Sequence, residues 1–437
     1  MPLLRFLYIA ISICLWVEIG ASQLNSLPAG SLDRSFGQSG IALFGQSYAI
    51  GDSVASSDGT IYWVNSIEKN GFFAVQLTKV LSAGEPDPTF GANGHSAVSY
   101  DFHASGITLA LQQDGKIIVA GAAQPTGEFA KFDFLVLRFL PNGQLDPDFG
   151  TNGVVIRDFP SPIPGELSSD FANFVTIKED GTIIVGGSSS RWASPSRATA
   201  YLTLLALNGN GTLDSSFGTN GVSQTATGFK QSFTFPADRT VAGTNLSTGE
   251  LLVGATVDLD RPDGAISRQC KLIRFEPNGS IDVDFGQQGI LVITPGETST
   301  CLDLAEISYG HILVSVGYGI LKLSSSGSVD VSFGRNGIAH SWANRFMSDI
   351  FIAKDGKILL AGTQMFSNSQ FGVVQRFHPS GQLDVRFGNN GTRLIRIENE
   401  FLSIVRVHRF QDKYIYVTGA CRYCDRKMMV VKLLTSK

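Results

Sequence analysis

Seven aspartates recur along the 437-residue chain, Asp33, Asp87, Asp146, Asp214, Asp282, Asp330 and Asp384, at intervals of 54, 59, 68, 68, 48 and 54 residues. A carboxylate returned at every period could ligate a metal or serve acid–base chemistry. Each one, however, sits in the same frame: an aliphatic residue (Pro86 in the second copy), Asp, two variable residues, Phe-Gly, two more residues and a further glycine. An aspartate between turn residues bonds nearby backbone N–H groups, and the phenylalanine that follows can anchor the turn in a core. The periodic carboxylates are therefore expected to build turns, not to catalyse.

Other constellations are weaker. Asp258-Leu-Asp260-Arg-Pro-Asp263-Gly264 starts like a calcium loop, but Pro262 stands where an acid is wanted and no glutamate closes the shell. Gly51-Asp52-Ser53 has the order of a serine-esterase nucleophile block, yet it precedes a predicted strand, and none of His95, His103, His311, His340, His378 and His408 is an evident partner. The glycine pairs 209/211 and 317/319 do not extend to a phosphate-binding fingerprint. Four cysteines follow the N-terminal segment: Cys270, Cys301, Cys421 and Cys424. An even number in an exported chain suggests disulfides, with three pairings open; a local Cys421–Cys424 bridge and an interblade Cys270–Cys301 bridge are expected. The Cys-Arg-Tyr-Cys stretch has no second ligand pair at zinc spacing. No metal, cofactor or catalytic residue is assigned.

The elements that hold these residues repeat with them. In the third unit Val154–Asp158 reads as a strand, Phe174–Glu179 as another, and Asp180-Gly181 as a hairpin into Thr182–Gly187; a variable loop then leads to Tyr201–Leu207. Four short strands per unit of just under 60 residues suit a propeller or a solenoid. The chain ends decide for the propeller. Met428–Leu434 lacks the turn and signature that should follow it, and Leu27–Gly37 supplies that missing piece. A blade shared between the ends closes a ring and leaves no edge strand. The expected fold is all-β: a seven-bladed β-propeller over residues 23–437, in which the N-terminal segment completes the C-terminal blade.

The seven copies of Leu-Asp-x-x-Phe-Gly-x-x-Gly after an Asn-Gly-like turn resemble the delta-60 repeat family, over essentially the whole chain after residue 22. The resemblance implies a propeller-like fold and brings no catalytic residues or ligand. Ser39 and Gln288 depart from the asparagine usual before the last glycine.

Arg5 followed by the apolar run Phe6–Val17 and Gly20-Ala21-Ser22 reads as a signal peptide over residues 1–22, with no membrane span afterwards and a secreted or periplasmic destination. A net charge of −4 gives no footprint for nucleic acid. Of four Asn-x-Ser/Thr sites, at Asn210, Asn245, Asn278 and Asn390, three are Asn-Gly turns that the repeat requires anyway. Strand chemistry is fixed by stacking, so recognition is expected in the loops after the third predicted strand. Their candidates are Arg191, Trp192 and Arg197 in one loop, Asp258 and Asp260 in the next unit, and Tyr423 between the last two cysteines. The expected activity is binding or scaffolding by a monomer, toward an extracellular protein or glycan. The alternative is a hydrolase or lyase with its site at the central channel mouth.

Overall fold

The computed structural model describes residues 28–435 apart from 46, 48, 50, 126–130, 162, 195–196, 230–240, 261–265, 294–299, 342–346, 367–368, 398–400, 411–412 and 422–425. Ile, Val, Leu and Ala occupy consecutive positions in the central strands, so both faces must be covered. In Ile117–Ala123 and Asp133–Phe139 every residue is buried.

The strands form seven four-stranded antiparallel sheets. Blade 1 holds β2 (Ser53–Ala55) to β5 (His95–Val98), and blade 2 holds β6 (Ala104–Leu111), β7 (Ile117–Ala123), β8 (Asp133–Phe139) and β9 (Val154–Arg157). Blade 3 comprises β10 (Leu167–Ile177), β11 (Ile183–Ser194), β12 (Arg197–Leu207) and β13 (Val222–Phe229). Blade 4 runs from β14 (Val241–Asn245) through β15 (Leu251–Asp260) and β16 (Ile266–Phe275) to β17 (Ile290–Ile293). Blade 5 starts at β18 (Asp303–Ile307) and contains β19 (His311–Ser315) and β20 (Gly319–Leu323); blade 6 starts at β22 (Met347–Ile352). Blade 7 takes β26 (Leu402–Phe410), β27 (Tyr414–Cys421) and β28 (Lys427–Leu434) from one end of the chain and β1 (Ile41–Phe44) from the other.

The blades are offset by one strand from the sequence repeat. Val154–Arg157 pairs with β8, not with the strands that follow it, because the signature folds back on its own sheet: Asp146 N–H donates to Arg138 O at 2.9 Å, and Leu145 bridges Phe139. The same offset makes closure possible, since Ile41–Phe44 pairs with Val431–Met428 and Leu32 bridges Leu433.

Each of seven hydrophobic clusters lies between two adjacent blades, and the one joining blade 7 to blade 1 holds Phe36, Tyr416, Met428 and Trp63. The signature turns staple these junctions on the outside. Phe149 is fully buried, and Gly150 N–H donates to Asn210 O of the next blade at 2.8 Å. Gly150 has φ 53°, and a Cβ there would stand 2.4 Å from Val154 O, so glycine is required. The equivalent bond from Gly388 reaches Ala29 at 2.7 Å, so the N-terminal segment occupies a seventh turn position. Ser39 and Gln288 adopt φ 56° and 55°, the left-handed backbone that asparagine takes in the other copies.

Candidate functional site

The first strands of successive blades contact one another around the whole circle, β2 meeting β26, and thus line the central channel. One register position, on or just before each first strand, carries Asp52, Thr108, Phe174, Ala242, Asp303, Asp349 and Arg406 in turn. In four of these blades a β-bulge precedes or adjoins the position, between Gly106 and Thr108, Ala172 and Phe174, Met347 and Asp349, and Ile404 and Arg406. An inserted residue shifts the alternation of side chains and re-aims the next one. The outcome is a lopsided ring, charged over blades 5, 6, 7 and 1 and apolar at blades 3 and 4.

Arg406 is the hub of the charged side. Its Nε donates to Asp52 Oδ1 at 2.8 Å and Nη2 to Asp52 Oδ2 at 3.2 Å, a two-pronged pair. Nη1 reaches Asp349 Oδ1 at 2.6 Å and Asp303 Oδ1 at 3.4 Å. The remaining oxygens tie neighbouring blades: Val407 N–H donates to Asp349 Oδ2 at 2.6 Å, Ile350 N–H to Asp303 Oδ2 at 2.8 Å, and the Thr108 hydroxyl to Asp52 Oδ2 at 3.1 Å. One guanidinium is shared by three carboxylates. Burial pushes the Asp349 carboxyl up to about 7; Arg406 opposes the rise and Asp303 adds to it. Burial works against the Arg406 charge, but the three aspartates outweigh it and hold the side chain protonated.

Beside this ring lies a serine–histidine contact that sequence reading missed. Ser53 Oγ stands 2.8 Å from His408 Nε2 and 2.7 Å from Thr418 Oγ1. Thr418 in turn donates to Arg406 O at 3.3 Å, and a carbonyl can only accept. Thr418 must then accept from Ser53, and Ser53 from the His408 N–H. That direction is the reverse of a base drawing a proton from a nucleophile. Ser53 is also only 4% exposed, and the chain of bonds latches blade 7 to blade 1.

A second acidic group sits between blades 2 and 3. Asp133, Asp158 and Asp170 each place a carboxylate oxygen within 4.8 Å of the other two. Burial pushes the Asp170 carboxyl up to about 8; hydrogen bonds from Ser189 and the Phe159 N–H oppose this, and Asp158 and Asp133 reinforce it.

The signature aspartates do accept backbone N–H groups two residues on, at 2.9–3.2 Å. In six of the seven the second oxygen has a cationic partner: Lys79 for Asp87, Arg138 for Asp146, Arg274 for Asp282, Lys322 for Asp330, Arg376 for Asp384 and Lys432 for Asp33. Several of these cations also lie over the signature ring, Arg138 at 4.6 Å from the centre of Phe149. Burial raises the Asp146 carboxyl, but the Asp148 N–H, Lys116 and Arg138 together hold it below its usual range.

The expected loop residues fare differently. The segment read as a loop over 188–197 is largely paired hairpin, Ser188–Trp192 facing Leu202–Ala198. Arg191 is not an exposed rim residue: it is 9% exposed, because its guanidinium lies 4.3 Å from the Tyr201 ring centre and bonds Gln224 Oε1 at 3.0 Å. Trp192 and Arg197 belong to the same hairpin by backbone pairing, and their side chains lie outside the described set. Asp258 and Asp260 likewise stand on β15, opposite Arg268 and Ile266, not in a loop. Tyr423 and Cys424 lie outside the described residues. Cys270 of β16 is bonded to Cys301, just before β18, so this disulfide joins blades 4 and 5. Cys421, at the end of β27, is disulfide-bonded too.

Seven stacked sheets, inner strands around a channel and a shared closing blade define a seven-bladed β-propeller of repeated units. Residues 112–149 and 353–387 match a family model described as "Domain of unknown function (DUF5122) beta-propeller". No curated protein matches the sequence. Among solved structures, Drosophila Semaphorin 2a is similar at 9% identity, over 93% of this chain and 76% of that one, with a TM-score of 0.46. A Penicillium chrysogenum alpha-L-arabinanase complexed with arabinobiose is similar at 10% identity, over 94% and 97%, with a TM-score of 0.43. A protein of unknown function from Bacteroides caccae is similar at 12% identity, over 77% and 98%, with a TM-score of 0.38.

Proposed function

We propose that the protein is an exported, non-enzymatic binding or scaffolding propeller of delta-60-type repeats, which recognises an extracellular protein or glycan through the connections between second and third strands of its blades. One observation carries the reading. The second strands begin in step but end at different lengths, twelve residues in β11, ten in β15 and five in β19. All the variation therefore falls at one end of the blades, where recognition is free to change without disturbing the stacked core. The central charges, by contrast, are consumed in holding blades together. The test is a panel of glycans and extracellular proteins probed with alanine variants of Trp192, Arg197, Asp258, Asp260 and Tyr423. Loss of binding at these positions is expected; losses confined to the opposite face would refute the placement.

The second reading, a hydrolase or lyase in the channel, has its own support. Asp52, Asp303 and Asp349 converge there, and a carboxyl raised to about 7 is poised to give a proton near neutrality. Turnover of any panel member, abolished by Asp349→Asn, would decide for it.

A further inference from the structure

The three acids between blades 2 and 3 have features that turn chemistry does not need. They come from three strands, Asp133 opening β8, Asp158 following β9 and Asp170 within β10, and none belongs to a signature. Asp170 is fully buried. Its Oδ2 accepts the Phe159 N–H at 3.0 Å and Ser189 also bonds the carboxyl, yet its Oδ1, shut off from water, is left without a hydrogen-bond partner. A buried polar atom left in that state is costly. Asp133 is 5% exposed, and Lys131 approaches Asp158 Oδ2 at 3.7 Å. Burial raises the Asp170 carboxyl to about 8, and the mutual repulsion of the carboxyls adds to that rise. Aromatic residues adjoin all three in sequence and pair with one another: the Phe132 and Phe171 rings pack at 5.1 Å, and Phe134 meets Phe159 edge-on at 5.1 Å. Water screens the repulsion between the buried Asp133 and Asp170 poorly.

We propose that Asp133, Asp158 and Asp170 bind a divalent cation of calcium's size and chemistry, which clamps blade 2 to blade 3. Three conditions agree. The donors are all carboxylate oxygen, the choice of hard cations and not of zinc or copper. Oxygens on opposite sides of a calcium ion stand at most about 5 Å apart, given bonds of about 2.3–2.6 Å, and these three oxygens lie within 4.8 Å of one another. A bound cation offsets the mutual repulsion of the three carboxylates and gives the unsatisfied Asp170 Oδ1 a partner. Asp158 keeps 37% of its side-chain surface exposed, so an ion can enter from solvent beside it.

The experiment is calorimetric titration of the chelator-treated protein with calcium chloride, alongside melting in excess calcium and in EDTA. One equivalent should bind and the melting temperature should rise by several degrees. Asp170→Asn should weaken binding at least about tenfold and lose the thermal shift. Asp158→Asn alters the more exposed acid, leaves the core untouched and should weaken binding likewise. Absence of binding by the parent protein would overturn the proposal, as would calcium binding unchanged in both variants.

Discussion

Removing Asp146 and removing Asp214 are the same substitution in two copies of one repeat, yet the structure predicts unequal costs. Each aspartate accepts a backbone N–H two residues on, at 3.1 Å from Asp148 and 3.0 Å from Ser216. Losing such a bond costs about 1 kcal/mol. Asp146 also neutralises Arg138, whose Nε stands 2.8 Å from Oδ2 and whose side chain is 5% exposed. The residue at the place of Arg138 in the next blade is Ala206, so Asp214 has no such dependant. Stranding a buried charge costs about 3–5 kcal/mol. Arg138 keeps its bond to Gly209 O and its seat on Phe149, which favours the lower end. Asp146→Ala should therefore cost about 4 kcal/mol, more than backbone capping alone implies, and Asp214→Ala about 1 kcal/mol. Equilibrium urea unfolding of the two variants measures the gap, and Arg138→Ala with the double variant isolates the pair. Equal costs would show that the cation contributes nothing and refute the reasoning.

Deleting residues 28–44 should leave one edge of β28 unpaired and give aggregated or newly oligomeric material, which size-exclusion chromatography detects; an unchanged elution volume with an unchanged melting temperature would contradict ring closure. Asp349 binds its proton more tightly folded than unfolded, so its contribution to stability is full below about 4 and declines as pH rises through about 7. Asp349→Asn should gain on the parent protein over that interval, by up to about 1.4 kcal/mol per pH unit, and a gap that does not change with pH counts against it. Replacing Cys270 and Cys301 by serine together removes a cross-link spanning 31 residues and should cost about 3–4 kcal/mol in chemical denaturation; a loss under 1 kcal/mol would show that the bridge does not constrain the unfolded chain.

Much of the architecture lay open in the sequence because it is written in local signals. Asp-x-x-Phe-Gly turns, Asn-Gly pairs and apolar runs each act within a few residues, and seven repetitions removed ambiguity. The cations that serve the turns were visible as well: Lys79, Arg138, Arg274, Lys322 and Arg376 each precede their aspartate by eight residues, the span of one hairpin arm, but turn chemistry alone gave no reason to look there. The channel ring was not legible. Bulges before Asp349 and Arg406 break the two-residue alternation on which facing is judged, and Arg406 meets Asp52 only because the circle closes over 354 residues. His408 and Ser53 are hidden from sequence for the same reason. Arg191 looked like surface because an arginine after three serines reads as loop, whereas a tyrosine across the hairpin covers it.

The shared seventh blade also imposes a schedule on synthesis. Six blades close on strands made within seconds of each other, but Ile41 must wait for Val431, about 390 residues later, or about 20–80 s at ordinary rates of chain growth. Until then the first-made strand has no sheet and the growing stack ends in a bare edge. The slowest and most aggregation-exposed event in this protein should thus be the meeting of its two ends, and a partner that shields residues 28–44 during that interval would govern yield without altering the finished ring.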